Sequence, residues 1–425
     1  MEAVLDVATS TSTTASMLDQ YAELLGEHVV DHLRQLGRLL AGKKVVHVNS
    51  TREGGGVAEI LYKLIPLMRE LDIDATWEVI TGDPEFYQCT KTFHNGLQGW
   101  NVMPSHKMLA AYEAANERFA QQYADVLSSA DFVFIHDPQP APAITHLPHR
   151  QGKWVWRCHI DASRPHRPIW KYLRRFVQHY DASIFSLPEF AQPLPHPQYI
   201  IPPSIDPFSE KNMDIPEDEV DAVYDRFGLN RHLPLVTQVS RFDAFKDPVG
   251  VIQAYQIAKK IIPLQLVLAG GGASDDPEGE VMLQQVRNAA GDDPDIHVLL
   301  LPSDAHRTIN ALQRASDIVI QKSTKEGFGL TVTEALWKRK PVIGGDVGGI
   351  RLQVVDHYTG FLVRTPEGCA LRMRYLLHNR ERLSEMGARA QRYVKENFLL
   401  TRQLREYLAL MVGVLRGTQD LIEVG

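Results

Sequence analysis

Two glutamates that flank a glycine-containing turn have the clearest chemical potential in this sequence. Glu326 and Glu334 stand eight positions apart, and Gly327 and Gly329 lie between them. The glycines permit a tight turn in which the backbone approaches a ligand closely. Carboxylates on either side of such a turn can accept hydrogen bonds from the hydroxyl groups of a bound molecule. The pattern therefore predicts a site for a hydroxylated ligand.

The segments around this turn add an anion site to the prediction. The run 317–321 is typical of a buried strand, and 330–336 is typical of a helix. A helix that starts near Leu330 presents free amides and the positive end of its dipole at the turn. Phosphate is the anion that such a helix start most naturally binds.

Two cations follow another predicted strand, at 235–240. Arg241 comes directly after it, and Lys246 precedes Asp247 and Pro248, which suit the N-cap and the first position of a helix. Ligands of open α/β sheets bind at the carboxyl ends of the strands, so both cations are expected beside a cleft. Two fixed cations there would neutralise a diphosphate and stabilise it as a leaving group.

A glycine-rich turn follows the first predicted strand, 44–49. The turn, at 51–56, contains three consecutive glycines and leads into a predicted helix. Its backbone amides could approach a ligand. The spacing is not that of the nicotinamide-binding GxGxxG turn, which disfavours a dinucleotide-dependent oxidoreductase.

Two histidines also follow predicted strands. His136 stands next to Asp137, and His159 stands two residues before Asp161. A histidine in a cleft can hydrogen-bond a sugar hydroxyl or move a proton. Neither pair has further ligands at the spacing of a metal site, so no metal site is predicted.

The composition excludes several classes of function. The 425 residues include 45 Lys and Arg against 52 Asp and Glu, a net charge of −7, so no basic excess exists for nucleic acid or an anionic membrane. Three dispersed cysteines do not indicate a disulfide framework, and no apolar run reaches the length of a membrane span. The first basic residue is Arg34, so no secretory or transit leader is indicated. We therefore expect a soluble cytoplasmic protein.

Strand-like and helix-like runs alternate along the chain, which predicts parallel sheets with crossover helices. The first helix is expected over 18–40, and six prolines within 193–207 suggest a connector. We predict an α/β fold of two doubly wound Rossmann-like domains facing across a cleft, at 1–203 and 204–399. The strand-like runs are 44–49, 76–80, 131–135, 154–158, 183–187, 235–240, 265–269, 297–301, 317–321 and 341–343.

Taken together, these segments resemble retaining glycosyltransferase family four, which has the two-domain GT-B fold. The segment 326–334 matches that family's two glutamates separated by seven residues, and Arg241 and Lys246 match its diphosphate-binding pair. The segment 201–206 resembles its hinge. The resemblance covers nearly the whole chain and implies that a C-terminal helix, at about 400–425, crosses back onto the first domain.

More narrowly, the chain resembles the trehalose glycosyltransferring synthases, above all at 46–60, with agreement at 136–139 and 156–161. That resemblance implies reversible transfer of glucose from a nucleoside diphosphate glucose to glucose, which gives α,α-trehalose. It implies no tightly bound cofactor, leaves Mg²⁺ as a stimulating ion, and is compatible with a homodimer.

The resemblance assigns five positions to the sugar and the ribose of the donor. Glu334 would bind the ribose hydroxyls. Glu326, with the amides of Gly327 and Phe328, would hold hydroxyls of the donor sugar. His159 would contact the region of its 6-hydroxyl.

The other positions would hold the diphosphate and the acceptor. Asp161, Arg52 and Glu53 would belong to the acceptor pocket. The implied mechanism is a front-face attack in which the leaving phosphate takes the proton of the acceptor. The diphosphate contacts, from side chains or backbone amides, would be Arg241, Lys246, Gly329, Leu330, Thr331, Gly55 and Gly56.

Other functions stay open at this point. A retaining trehalose phosphorylase would use phosphate on the same fold, although a ribose-binding Glu334 has no task there. A family-four transferase could take another sugar acceptor, and a sugar-nucleotide epimerase also has two Rossmann-like domains. A sugar-nucleotide sensor would bind without turnover, which the intact glutamate and Arg/Lys set disfavours. The sequence does not indicate the nucleotide base.

Overall fold

Two parallel sheets form the framework of the protein. A computed structural model describes residues 16–53, 55–271 and 277–417, except for the side chains of residues 277 and 278. Within these ranges twelve strands form two sheets of six. The first sheet contains β1 (Lys44–Asn49), β2 (Asp74–Val79), β3 (Phe132–His136), β4 (Lys153–Arg157), β5 (Ala182–Phe185) and β6 (Gln198–Ile200). The second contains β7 (Leu235–Val239), β8 (Gln265–Gly271), β9 (Ile296–Leu301), β10 (Ile318–Gln321), β11 (Val342–Gly345) and β12 (Gly360–Val363).

Helices cover both faces of each sheet. Short 3₁₀ helices of the described residues lie at Ala141–His146, Pro188–Phe190 and Ala244–Lys246. The α-helices of the described ranges are α1 (Met17–Leu25), α2 (Glu27–Arg38), α3 (Gly56–Glu70), α4 (Pro84–Leu97), α5 (His106–Gln122), α6 (Ala124–Ser129), α7 (Arg167–Val177), α8 (Glu217–Phe227), α9 (Pro248–Lys259), α10 (Pro277–Ala290), α11 (His306–Ala315), α12 (Leu330–Trp337), α13 (Ile350–Gln353), α14 (Pro366–His378), α15 (Arg380–Asn397) and α16 (Leu400–Arg416).

The strand order brings the predicted site loops together. The first sheet has the order β2-β1-β3-β4-β5-β6, and the second has the order β12-β11-β10-β7-β8-β9. All neighbouring strands are parallel. Because parallel strands end at the same edge, the loops after β1, β3 and β4 lie side by side, as do those after β7 and β10. The prediction of two doubly wound α/β sheets is confirmed.

The first sheet is buried on both faces, which explains why its strands are continuous apolar runs. Val45 and Phe134 pack on one face with residues of α2, α3 and α16. Val46 and Val133 point to the other face, toward α4, α5 and α7. This double burial fixes the position of each strand end, and with it the site loops.

The chain passes between the two sheets twice, and the passes are tied together. Ile205, on the outward pass, forms an isolated parallel bridge with Leu399, on the return pass. Arg402 of α16 donates hydrogen bonds of 2.9 Å to the carbonyl oxygens of Pro202 and Pro203. We call the part of the chain built on the first sheet the first lobe and the part built on the second sheet the second lobe. Helix α16 packs against α2 and α3, so the predicted return of the C-terminal helix to the first lobe is confirmed. The exact domain boundary at 203/204 stays a prediction.

Several details differ from the sequence prediction. The helix expected over 18–40 is divided into α1 and α2 at Gly26, whose φ of 95° is incompatible with a continuous helix. The proline-rich connector contains the edge strand β6, a position where missing amide donors are tolerated. The edge strand β12 was not predicted. Among the described residues, no helix is long and apolar enough to span a membrane. Gly54 of the glycine-rich turn and residues 418–425 lie outside the described ranges.

Candidate active site

The loops after β4 and β10 meet across the gap between the two sheets. A β-carbon placed on Gly327 would lie 2.4 Å from the carbonyl oxygen of His159. Only glycine permits this approach, because no real side chain tolerates such a distance. Beside it, Lys325 Nζ lies 3.8 Å from the carboxylate of Asp161. The predicted sugar-binding turn of the second lobe therefore touches the histidine loop of the first.

Two helix N-termini face each other next to this contact. A β-carbon on Gly56, at the start of α3, would lie 2.7 Å from Leu330 Cδ1, at the start of α12. Both helices begin after a glycine with positive φ, 93° at Gly55 and 85° at Gly329. The first amides of each helix lack partners within it, and both dipoles present their positive ends to the same space. The arrangement is suited to an anion bound between the lobes.

A mostly buried ion pair links the loops after β7 and β10. Lys246 Nζ lies 2.5 Å from Glu326 Oε2, and Ser323 Oγ donates to the same oxygen at 3.1 Å. The two loops are neighbours because β7 and β10 are adjacent strands. The structure thus brings together two residues that stand 80 positions apart in the sequence.

Arg241 is not part of this ion pair. Its side chain is 61% exposed, and its nearest carboxylate is that of Asp243, at 3.7 Å. Arg241 lies near His94 of α4. Burial lowers the pKa of His94 to about 4, and the positive charge of Arg241 contributes to that shift. A different cation, Lys322 at the end of β10, is buried and pairs with the Asp247 carboxylate. Lys322 was not among the predicted site residues, although its position directly after a strand was a usable signal.

Glu334 lies in a cavity of about 270 Å³ between the lobes. Its side chain is 2% exposed, and its Oε2 has no hydrogen-bond partner among the described residues. Burial raises the pKa of Glu334, while the Lys211 and Lys338 cations oppose the shift. A buried carboxylate oxygen without a donor is costly, so the cavity is complementary to a hydroxylated ligand. Charged groups that line it are Glu59, Lys63, Asp206, Glu210, Lys211 and Glu334.

Three histidines form a chain of ring-to-ring hydrogen bonds. His159 Nε2 lies 2.9 Å from His136 Nδ1, and His136 Nε2 lies 3.0 Å from His47 Nδ1. Burial lowers the pKa of His47 to about 3 and holds those of His136 and His159 well below the usual range. Asp137 does not contact these rings; its carboxylate accepts the backbone amide of His159 at 2.7 Å. His47 was not predicted, because it lies in mid-strand among apolar residues.

The side chains of the three acceptor-pocket candidates have different surroundings in the structure. Arg52 is exposed, donates to the Trp77 carbonyl oxygen at 2.6 Å, and lies over that indole ring. Glu53 is also exposed. Asp161 is buried and accepts hydrogen bonds from the amide and hydroxyl of Ser163. Asp161 lies at the contact between the lobes, near Lys325. The acceptor assignment stays a prediction.

No metal cluster is found among the described residues. In those ranges, His, Cys, Asp and Glu side chains form no group of three or more that could hold an ion. The cysteines are free and buried. Positive charge at the site is supplied by the helix starts and by lysines, among them Lys246, Lys322 and Lys211.

The sequence matches two family descriptions that divide it between the two sheets. "Trehalose synthase, N-terminal domain" matches residues 47–192. "Glycosyl transferases group 1" matches residues 224–393. The first match contains the histidine chain and the start of α3. The second contains Lys246, Glu326 and Glu334.

Individual proteins show the same similarity. The chain is 46% identical to a trehalose synthase of Pyrococcus horikoshii over 93% of this chain and 95% of that protein. It is 28% identical to a trehalose phosphorylase of Pleurotus pulmonarius, over 81% of this chain and 54% of that protein. An α,α-trehalose-phosphate synthase (UDP-forming) from Burkholderia xenovorans, crystallised with glucose-6-phosphate, superposes with a TM-score of 0.71 at 13% identity. That superposition covers 87% of this chain and all of the other, and it confirms the GT-B fold.

Because His47 is buried and neutral, we expect the protein to lose stability in mild acid. Its folded pKa of about 3 lies below the ordinary value of 6.5, so between these values the unfolded chain binds a proton that the folded chain does not. The free energy of unfolding is therefore highest above pH 6.5 and falls on acidification, by up to about 1.4 kcal/mol per pH unit from this residue. Urea denaturation at pH 7, 6 and 5 measures the slope.

His47→Phe isolates this contribution, because the imidazole already stacks on Phe134 with an interplanar angle of 9°. The variant should show a flatter decline of stability with falling pH. Replacement of the exposed His149 by Asn is the control and should keep the wild-type slope. A slope in His47→Phe equal to that of the wild type would contradict the assignment.

Proposed function

Because the chain belongs to the trehalose synthase family, and is thus a glycosyltransferase of trehalose metabolism, we propose that it transfers glucose from a nucleoside diphosphate glucose to glucose. The product is α,α-trehalose, the anomeric configuration of the donor is retained, and the reaction is reversible.

The unpartnered carboxylate oxygen of Glu334 is the observation that supports a nucleotide donor. The oxygen is buried, and Glu334 lines a cavity that Leu330, at the start of α12, also lines. The ribose of a nucleotide supplies hydroxyl donors for this oxygen, while its diphosphate reaches the amides of the helix start. A single bound molecule with both groups therefore matches the cavity and the anion site at once.

The proposed chemistry is a displacement on one face of the donor sugar. The bond between the anomeric carbon and the phosphate oxygen breaks as the acceptor hydroxyl attacks from the same face, and the leaving phosphate takes the hydroxyl proton. Lys246 and the amides of Leu330 and Thr331 stabilise the charge that develops on the diphosphate. Glu326 and His159 hold the sugar hydroxyls, and the contact between the lobes excludes water that would hydrolyse the donor.

Three parts of the proposal rest on the sequence resemblance. Arg241 is exposed and would have to turn toward the diphosphate to join Lys246. Arg52, Glu53 and Asp161 remain the proposed acceptor residues. Stimulation by Mg²⁺ and a homodimer also remain predictions.

The similarity to a trehalose phosphorylase makes phosphorolysis the alternative reaction. A phosphorylase on this fold would place inorganic phosphate between the helix starts and would leave the Glu334 cavity without a function. The two candidate reactions, glucosyl transfer and phosphorolysis, differ in whether a nucleoside diphosphate is required.

A product assay tests the proposed function directly. The protein is incubated with ¹³C-labelled glucose and one donor in each of three reactions. The donors are UDP-glucose, ADP-glucose and GDP-glucose, and the product is identified by NMR. We expect labelled α,α-trehalose and release of the nucleoside diphosphate with at least one donor. Conversion of trehalose and phosphate to glucose 1-phosphate without nucleotide would instead establish the phosphorylase, and another labelled disaccharide would correct the acceptor.

Loss of the Lys246–Glu326 pair should abolish transfer. Lys246→Ala and Glu326→Gln are each expected to lower kcat by about a hundredfold or more, because a charge-stabilising group and a sugar-binding group are lost. Lys260→Ala and Glu396→Gln, on the exposed surface of the same lobe, are the matched controls. Circular dichroism and the denaturation midpoint show that each variant is folded. Turnover near the wild-type value in either site variant would refute the site.

The double variant separates catalysis from folding. Lys246→Ala leaves a buried carboxylate without its cation, which destabilises the protein. Adding Glu326→Gln removes that unpaired charge, so the double variant should be more stable than Lys246→Ala but equally inactive. Recovery of activity together with stability would show that Lys246 is only structural.

Glu334→Gln should act on donor binding. The amide replaces one acceptor oxygen by a donor that cannot accept from a ribose hydroxyl, so the KM for the nucleotide donor should rise about tenfold or more. Binding of the free nucleoside diphosphate, measured by calorimetry, should weaken by the same factor, whereas that of inorganic phosphate should not change. An unchanged nucleotide affinity would place the ribose elsewhere.

A further inference from the structure

The histidine chain begins at the cleft and ends in the interior of the first lobe. His159 is partly exposed, His136 is 2% exposed, and His47 is fully buried. The rings lie end to end and roughly coplanar, with centroids 5.3 Å apart in both contacts and interplanar angles of 29° and 17°. The three residues come from neighbouring positions in the sheet: β1, the end of β3, and the loop after β4. The sheet therefore holds the three rings in fixed register.

All three rings are neutral. Burial, aided by the Arg157 cation, lowers the pKa of His159, and burial together with its two histidine neighbours lowers that of His136. A neutral imidazole carries one N–H and one acceptor nitrogen. The hydrogen bonds therefore run either from His47 through His136 to His159 or in the opposite direction. The chain thus has two possible directions, and every tautomer follows from one choice.

The buried end of the chain decides between the two directions. His47 Nε2 is fully covered and has no hydrogen-bond partner in the described part of the chain. If it carried the proton, a buried N–H donor would be left unsatisfied, whereas the other tautomer leaves a buried lone pair unpaired. Among backbone groups an orphaned buried N–H is rarer than an under-satisfied acceptor, and we apply the same order to this ring nitrogen. The proton of His47 therefore belongs on Nδ1, where it is donated to His136 Nε2. His136 then donates from Nδ1 to His159 Nε2.

We propose that His47 and His136 are positioning residues that hold His159 with its proton on Nδ1, so that the ring donates a hydrogen bond to an oxygen of the donor sugar. The identity of that ligand rests on the proposed function. Because His159 Nε2 accepts from His136, this nitrogen has no free lone pair with which to take a proton. His159 is then a fixed donor rather than a general base, in agreement with proton transfer to the leaving phosphate.

Nitrogen NMR of the free protein tests the direction without any substrate. Long-range ¹H–¹⁵N spectra of ¹⁵N-histidine-labelled protein distinguish protonated from unprotonated ring nitrogens. The signals are assigned by loss in His47→Phe, His136→Phe and His159→Phe. We expect all three rings to be protonated on Nδ1. Protonation of His159 on Nε2 would overturn the proposal.

A double-mutant cycle tests whether His136 acts through His159. His136→Phe retains the ring volume and should lower kcat about tenfold or more. In a His159→Ala background the same change should cost less than twofold, because the residue that it positions is gone. An equal loss in both backgrounds would show a general structural role and overturn the proposal, as would the absence of any loss in the wild-type background.

A second variant and a control complete the test. His47→Phe keeps the bond between His136 and His159 but removes the group that sets its direction, so it should also lower kcat only when His159 is present. His297→Phe, which replaces a half-buried histidine of β9, should retain full activity. If the wild type makes no trehalose while the three Nδ1 protons are found, the proposed function is wrong and the positioning of His159 stands.

Discussion

The facing starts of α3 and α12 are the constraint on which the rest of the site depends. Two positive helix ends that point into the same space repel each other, and an anion between them removes that repulsion. Each helix is fixed by the strand before it, β1 or β10, and these strands are buried on both faces. The sheets thus hold in place an electrostatic arrangement that the helices alone would not adopt. The two starts approach so closely that a β-carbon on Gly56 would displace the tip of the Leu330 side chain.

The cavity beside these helix starts lies at the ties between the lobes. Lys211, in the segment that follows the connector, lies 2.5 Å from Glu59 of α3, and its charge also acts on Glu334. Arg402 fixes the connector from the return helix α16. A ligand that hydrogen-bonds Glu334 therefore binds where the relative position of the lobes is set. Binding is coupled to lobe position to the extent that the ligand binds one arrangement of this junction more tightly than another.

The sequence predicts those features that depend on local order along the chain. The strands follow from apolar runs, and the glycine turns, Lys246 and Glu326 are placed at the cleft by the rule that ligands lie at strand ends. The ion pair between Lys246 and Glu326 was not predicted, because it depends on which strands are neighbours in the sheet. His47 could not be found in this way, because its function depends on a ring contributed by another strand. The exposure of Arg241 was equally hidden, since a loop side chain can turn either way. The break at Gly26 shows that helical periodicity continues through a residue whose backbone leaves the helix.

In the proposed reaction, Lys246 connects recognition of the sugar with departure of the phosphate. In the structure Lys246 compensates the buried charge of Glu326, which otherwise would be costly to keep ionised. In the proposed reaction the same ammonium faces the diphosphate, so it lies between two negative groups. The ammonium attracts both the Glu326 carboxylate and the diphosphate, so it sets the distance between these two groups. The sugar hydroxyls bound by Glu326 are thereby placed relative to the leaving group. A separate cation for each group would neutralise charge as well, but it would not fix this geometry.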